Sequence, residues 1–296
     1  MVVAARGSPL SRIQAAMAKD QLGRVFPGIR FRDRWVVTAG DRDRSTSMTD
    51  LPTPGFFEKE VDRAVLEGTA DVAVHSLKDI PAEISEGLEI VAALPRGPAA
   101  DVLVAASSVP PPWGSLPEGF RIGTSSVRRR AIVRFHSPRA LCAPIRGNVG
   151  TRVTKLRAGQ YDALLLAEAG LRRLGVDLPA RRLPLAVAPP APGQGIVALV
   201  ALRERYGEFG PLRERAAAAW WELRAERAFV TAIGGGCSQA IGGHASSARR
   251  SFTAAQWEED GSARRRLRIS GSVPDPEAMG KKAAKGLMSG KWERRP

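Results

Sequence analysis

Along most of the chain, short apolar runs close on small or polar residues and then open into a helical period. "MVVAARGS" is the first of them. Its apolar run predicts a strand, Ser8 the cap of the next helix and Pro9 that helix's first residue. Leu10, Ile13 and Met17 follow at helical spacing and predict one apolar face. "GFFEKEVDRAVLEG" predicts a second helix, with Phe57, Val61 and Val65 on one face and Gly68 as its stop. "DVAVHS" predicts a strand running into Leu77, Lys78 and Asp79. "FRIGTSS" predicts a strand meeting a helix that begins near Val127. "LCAPIRGN" before "VGTRVTKLRAG", and "DALLLAEAG" before "LRRLG", repeat the alternation, which predicts α/β architecture with mainly parallel sheets.

After Ala216 the pattern changes. The helical "RAAAAWWELRAERAFVTA" leads into a glycine-rich loop, "TAIGGGCSQAIGGHA". "FTAAQW" and "RRRLRISGSV", separated by "EEDGSA", then read as a hairpin, and "SGKWERRP" reads as a basic tail. This predicts a small α+β domain. The proline-rich Ser107–Gly119 and the segment Ala188–Gly195 are expected to carry the chain between two preceding domains. No internal repeat stands out.

Composition narrows the class. A chain of 296 residues, 44% hydrophobic and 25% charged, is long enough for two or three globular domains. Two cysteines, Cys142 and Cys237, make no disulfide framework, and three histidines make a histidine-built metal site a poor expectation. The N-terminus lacks a signal pattern and no apolar run approaches membrane length, so a soluble, cytoplasmic protein is expected. The net charge of +15 is unevenly spread: Gly119–Tyr161 holds ten basic residues and no acidic one. Such a block sets up a positive field suited to an anionic ligand. It is poor in the aromatic platforms that single-stranded nucleic acid uses, offering Phe120, Phe135 and Tyr161.

In open α/β sheets, ligands sit beyond the carboxyl ends of strands, facing helix N-termini. Arg6 and Ser8, Lys78 and Asp79, Thr124, Ser126, Arg128 and Arg129, then Arg146, Arg152 and Arg173 all fall at such junctions. Converging guanidinium forks suit a ligand with several carboxylates, each charge-assisted bond contributing about 1.5–3 kcal/mol. Asp79 is the one acid among them. In a positive field it should stay ionised and suit stabilising a cation. Cys142 reads as a small apolar residue and His75 as a packed one. Cys237, on its glycine loop, reads equally as structural or as a nucleophile. These residues reach a polyanion-binding α/β protein with a candidate reactive thiol, and leave the reaction open.

In order along nearly the whole chain stand "ARGSPLSRIQA", "TAGD", "ADVAVHSLKDIPAE", "GTSSVRRR", "IRGNVGTRVTKL", "YDALLLAEAGLRRLG", "PGQG" and "ERAFVTAIGGGC". Together they resemble the porphobilinogen deaminase (hydroxymethylbilane synthase) family. The resemblance implies two domains with the fold of type II periplasmic binding proteins, with the active cleft between them, and a third α+β domain that carries the cofactor. The expected boundaries are 1–96 with 195–214, then 100–190, then 217–296. It implies that Cys237 holds a dipyrromethane cofactor through a thioether. It also implies that Asp79 is the catalytic acid side chain, stabilising the cation formed as ammonia leaves. Arg6, Ser8, Lys78, Thr124, Ser126, Arg128, Arg129, Arg146, Arg152 and Arg173 would bind cofactor and substrate carboxylates, with Gln194 near the same cleft. The implied enzyme is a monomer that condenses four porphobilinogen molecules and releases hydroxymethylbilane, with no metal, membrane or nucleic acid. An anion-binding protein of the same fold without enzyme activity is the alternative. The chain departs from the family at Ala39, at Pro54 and in "SQAIGG" after Cys237.

Overall fold

The computed structural model of the chain describes residues 1–37, 59–234, 239–271 and 273–295. Ala39, Pro54, Phe57 and Cys237 lie outside these residues. Strand β1 (Val2–Arg6) is followed by α1 (Pro9–Val25), whose cap is Ser8: its hydroxyl accepts the Ser11 N–H at 3.2 Å. The fully buried residues of α1 are Gln14, Ala15, Ala18 and Leu22, whereas the predicted Leu10, Ile13 and Met17 are half-buried. Small side chains let the helix lie close against the sheet, and Leu10 on its flank reaches towards Gly170 of the second lobe. Next come β2 (Arg32–Val36) and α2 (Lys59–Leu66), where Val61 and Val65 are buried as their spacing predicts. Strand β3 (Val72–Ser76) runs directly into a 3-10 turn, Leu77–Asp79, and β4 (Leu88–Ala93) follows.

The chain then crosses to a second sheet. Gly97 N–H donates to Gly195 O at 3.0 Å, so the outgoing and returning segments run side by side. Strand β5 (Asp101–Val104) already belongs to the second sheet. The crossing therefore precedes the proline-rich Ser107–Gly119, which lies within the second lobe instead. Pro110 O accepts from Arg181 there at 2.8 Å, and Leu116 packs into that lobe's core. Then follow β6 (Arg121–Gly123), α3 (Val127–His136), β7 (Leu141–Ala143), α4 (Val149–Arg157), β8 (Ala163–Ala167), α5 (Glu168–Arg173) and β9 (Ala180–Arg182). The chain returns as β10 (Val197–Leu202), leading to α6 (Gly210–Arg215).

The two sheets have one plan, β2-β1-β3-β10-β4 and β7-β6-β8-β5-β9. β10 pairs antiparallel with β3 and β4, and β5 with β8 and β9, while the remaining pairs are parallel. In each lobe the antiparallel strand is the first one after a crossing. The two lobes thus have the mainly parallel, twofold-repeated architecture that the resemblance implies.

The third body is built on α7 (Ala217–Ile233), which Gly234 ends in the left-handed conformation, φ +64°. It continues through β11 (Ile241–Ser246), β12 (Ser251–Trp257), β13 (Ala263–Ser270), α8 (Pro276–Met288) and β14 (Glu293–Arg294), the strands forming one antiparallel sheet in sequence order. The predicted hairpin is β12–β13, with Trp257 opposite Arg264. Two readings need correction. "SGKWERRP" contains an edge strand, because Arg294 pairs with Ala263, and "IGGHA" is a strand rather than part of a loop. Its glycines serve close packing: a Cβ on Gly242 would stand 2.1 Å from Pro189 O on the returning crossing.

Candidate active site

The predicted residues stand at strand ends and on the turns and helix starts beyond them, in different states. Arg6 is half-buried, and Ser8 is engaged as the α1 cap, with its hydroxyl also 2.8 Å from that of Ser11. On the 3-10 turn after β3, Lys78 is half-buried and Asp79 is exposed. Beyond β6, Thr124 is buried and its hydroxyl accepts the Ser126 N–H at 3.3 Å, while Ser126 caps α3. Ser125 exchanges hydrogen bonds with the Ile145 backbone at 2.8 and 3.0 Å, fastening the β6 loop to the loop that bears Arg146. Arg152 donates from Nε to Gly147 O at 2.8 Å. Burial lowers its pKa to about 10, helped by the nearby Arg129 guanidinium. Arg173 donates to Gly195 O at 2.6 Å and so belongs to the crossing.

At the centre is an acid that the sequence reading missed. Asp101, fully buried, accepts from Arg128 Nη2 at 2.6 Å, from Arg129 Nη2 at 2.7 Å and Nε at 3.1 Å, and from Gln194 Nε2 at 3.0 Å. Burial alone would raise its pKa, but the two guanidiniums prevail and hold it well below the usual carboxylate range. Arg128 also donates to Pro189 O at 3.0 Å. Gln194, buried, receives Arg129 Nη2 and Lys78 Nζ on its one amide oxygen, each at 3.4 Å. Burial lowers the Lys78 pKa, and the adjacent Asp79 opposes that. Arg128 and Arg129, expected to bind ligand carboxylates, thus have part of each fork committed to Asp101. Arg128 and Arg129 are two guanidiniums against this one buried anion, so the cluster retains a positive field.

A second buried acid joins the third body to the crossing. Glu226 on α7, 1% exposed, accepts from Arg96 at 2.7 Å, from Ala245 N–H at 2.8 Å and from Gly193 N–H. Arg96 in turn donates to Gln194 O at 3.1 Å. Neither Glu226 nor Asp101 carries a local signal, since their partners lie far off in the chain. A third omission was legible. Arg6-Gly-Ser-Pro-Leu-Ser-Arg12 and Arg146-Gly-Asn-Val-Gly-Thr-Arg152 share one spacing. In both, the cap accepts the N–H three residues on, and the last arginine donates Nε to the glycine carbonyl, at 3.0 Å for Arg12.

Other reactive groups are quiet. Cys142 is half-buried against the second core, and burial pushes its thiol up to about 11 despite Arg134 and Arg130. His75 is buried with Asp62 at 2.8 Å. Burial lowers both His136 and His244 to about 4, with Arg264 and Arg96 adding to the effect. Both are therefore neutral in the native state at pH 7. Because their folded pKa lies below the unfolded value of about 6.5, their contribution to stability is complete above that pH and is lost as pH falls towards 4. Thermal melts should show the midpoint dropping across that window, with a shallower fall in His136→Asn/His244→Asn. A slope unchanged by the double substitution would show that the histidines do not cause it.

The donor set fits a polycarboxylate: Lys78 of the first lobe and Arg129 of the second meet on Gln194 beside the crossing, and α1, α3 and α4 each carry a capped N-terminus. Among the described residues no group of three His, Cys, Asp or Glu could hold a metal ion, and no helix is long and apolar enough to cross a membrane.

The family described as "Porphobilinogen deaminase, dipyromethane cofactor binding domain" matches residues 1–207, and "Porphobilinogen deaminase, C-terminal domain" matches residues 220–289. A "Probable porphobilinogen deaminase" of Hyperthermus butylicus is 44% identical over 286 residues, covering 95% of this chain and 94% of the relative. One of Pyrobaculum neutrophilum is 42% identical, covering 96% of each. Among solved structures, the periplasmic aliphatic sulphonate binding protein SsuA from Escherichia coli is 14% identical with a TM-score of 0.42, over 78% of this chain and 69% of that one.

Proposed function

This chain belongs to the porphobilinogen deaminase family, and from that premise we propose that it condenses four porphobilinogen molecules head to tail and releases hydroxymethylbilane by hydrolysis. It is a transferase of porphyrin biosynthesis, and the family's cofactor is dipyrromethane. We assign residues 1–96 with 195–214, 100–190 and 217–296 to its three domains, and take it to act as a cytoplasmic monomer, as the family resemblance implies.

The observation that carries the reading is the shared amide oxygen of Gln194. Lys78 from the first lobe and Arg129 from the second both donate to it at 3.4 Å. The turn that bears Asp79 therefore adjoins the cationic cluster. In each condensation the C–N bond within the aminomethyl group breaks, ammonia leaves, a C–C bond forms from its methylene to a free pyrrole carbon, and that carbon loses its proton. When bound, dipyrromethane supplies the first such carbon. Asp79 would accept the substrate's pyrrole N–H and stabilise the cation left as ammonia departs. Arg6, Ser8, Lys78, Thr124, Ser126, Arg146, Arg152 and Arg173, with the uncommitted N–H groups of Arg128 and Arg129, would hold acetate and propionate side chains. Gln194 would orient Lys78 and Arg129 towards them. Cys237, three residues past the Gly234 helix end, would anchor the primer through its sulfur.

Intact-mass measurement tests this directly. The purified protein should exceed its sequence mass by two pyrrole units, and Cys237→Ser should lack that increment. A fully active wild type of unmodified mass would overturn the proposal.

A further inference from the structure

The helix that leads to Gly234 also grips the segment next to Asp79. Arg227 of α7 donates from Nη1 to Ile80 O at 3.3 Å and to Pro81 O, and from Nη2 to Ala82 O at 2.6 Å. These consecutive carbonyls follow Asp79 directly and belong to neither a helix nor a strand. The Ile80 N–H, bonded to Leu77 O at 3.1 Å, closes the turn from the other side. A planar fork can meet diverging carbonyls together, which a single ammonium cannot.

The grip has a firm base. Along α7, Ala219 and Leu223 pack into the first lobe's core, while Ala225 and Phe229 pack into the third body's core. Glu226, the neighbour of Arg227, holds Arg96 and Gly193 of the crossing segments. One helix thus fixes the crossing through residue 226 and the Asp79 turn through residue 227. Arg224, one turn earlier, faces elsewhere and pairs with Glu277 at 3.1 Å within the third body.

We propose that Arg227 is a positioning residue for the condensation: by holding the carbonyls of Ile80, Pro81 and Ala82 it sets where the Asp79 carboxylate stands relative to the cleft. The inference rests on the reading of Asp79 given above, and adds to it a residue that touches no substrate. A displacement of about 1 Å at a reacting group can cost about 10²-fold in rate.

The experiment compares wild type, Arg227→Met, Arg227→Lys and Arg224→Ala in steady-state kinetics with porphobilinogen, in intact mass and in backbone hydrogen exchange. Arg227→Met keeps the methylene stem and loses the fork. It should keep the adduct mass, exchange faster over residues 77–83, and lose roughly 10- to 100-fold in kcat with KM moved far less. Arg227→Lys should recover part of the loss, and Arg224→Ala should match wild type. Unchanged exchange over 77–83 in Arg227→Met would overturn the proposal. So would faster exchange with unaltered kcat, or a rise in KM alone. Should Arg227→Met fail to fold, Arg227→Lys carries the same test, since one point donor cannot hold three carbonyls. Turnover missing from the wild type would instead overturn the reading of Asp79, and is distinguishable because the exchange comparison needs no substrate.

Discussion

Asp79→Asn is expected to carry the same added mass as wild type and to lose about three orders of magnitude in kcat, with KM for porphobilinogen little altered. The substitution preserves size and an acceptor oxygen, so the 3-10 turn and the contacts of Lys78 should survive. It removes the negative charge. A carboxylate that meets a developing cation stabilises the transition state more than the ground state, and such preorganised electrostatic contacts are each worth about 10²–10³ in rate. Asp79 faces solvent at the lip of the cationic cluster, so substrate can reach it. The loss should fall on ammonia release, visible in single-turnover measurements with the first porphobilinogen. Wild-type turnover in Asp79→Asn would remove Asp79 from the mechanism, whatever the mass spectrum shows.

The parts of the fold that were legible are those set by neighbours in the chain. Ser8 announces the start of α1 because a cap bonds to a backbone N–H three residues on, "FRIGTSS" announces a helix near Val127, and the apolar runs of β1, β3 and β8 announce buried strands. What could not be read depends on distant partners. Ser107–Gly119 reads as a crossing by its prolines, whereas the chain crosses at residues 95–100, between the boundaries that the resemblance implied, where Gly97 N–H bonds to the distant Gly195 O. "IGGHA" reads as a loop by composition, yet its glycines are spaces left for Pro189 and the Phe229 ring. In the candidate site, the junction arginines stood out individually. Their division between Asp101, the crossing and the cleft did not, since nothing near "DVLVAA" marks Asp101 as the partner of residues 27 and 28 positions later. The twin Arg-Gly-cap-Arg turns were legible in principle, the spacing being identical, but a repeat that short carries no weight until both turns are seen to close alike.

Asp101→Ala is expected to destabilise the protein by about 3–5 kcal/mol, a large share of a typical folding free energy. The alanine leaves the Arg128 and Arg129 guanidiniums buried, side by side, without the acid that compensates them. Two like charges would then repel in a region from which water is largely excluded, and Gln194 Nε2 would keep Ala99 O, at 2.7 Å, as its partner. Asp101→Asn fills the same space and accepts one hydrogen bond per lone pair, but restores no charge, so it should recover only part of the loss. The pH dependence separates this from simple cavity formation. Asp101 has a folded pKa below its unfolded value of about 3.9, so its stabilisation is present above that pH and is lost as pH falls through the folded value. Urea denaturation at pH 7 and pH 3 should therefore show a smaller difference in the alanine variant than in wild type. The same substitution should raise the affinity of the cleft for carboxylates less than the added positive charge would suggest, because the two forks lose their fixed geometry as they lose Asp101. A stability loss below about 1 kcal/mol at neutral pH would mean that the arginine pair is solvated and that Asp101 does not organise it.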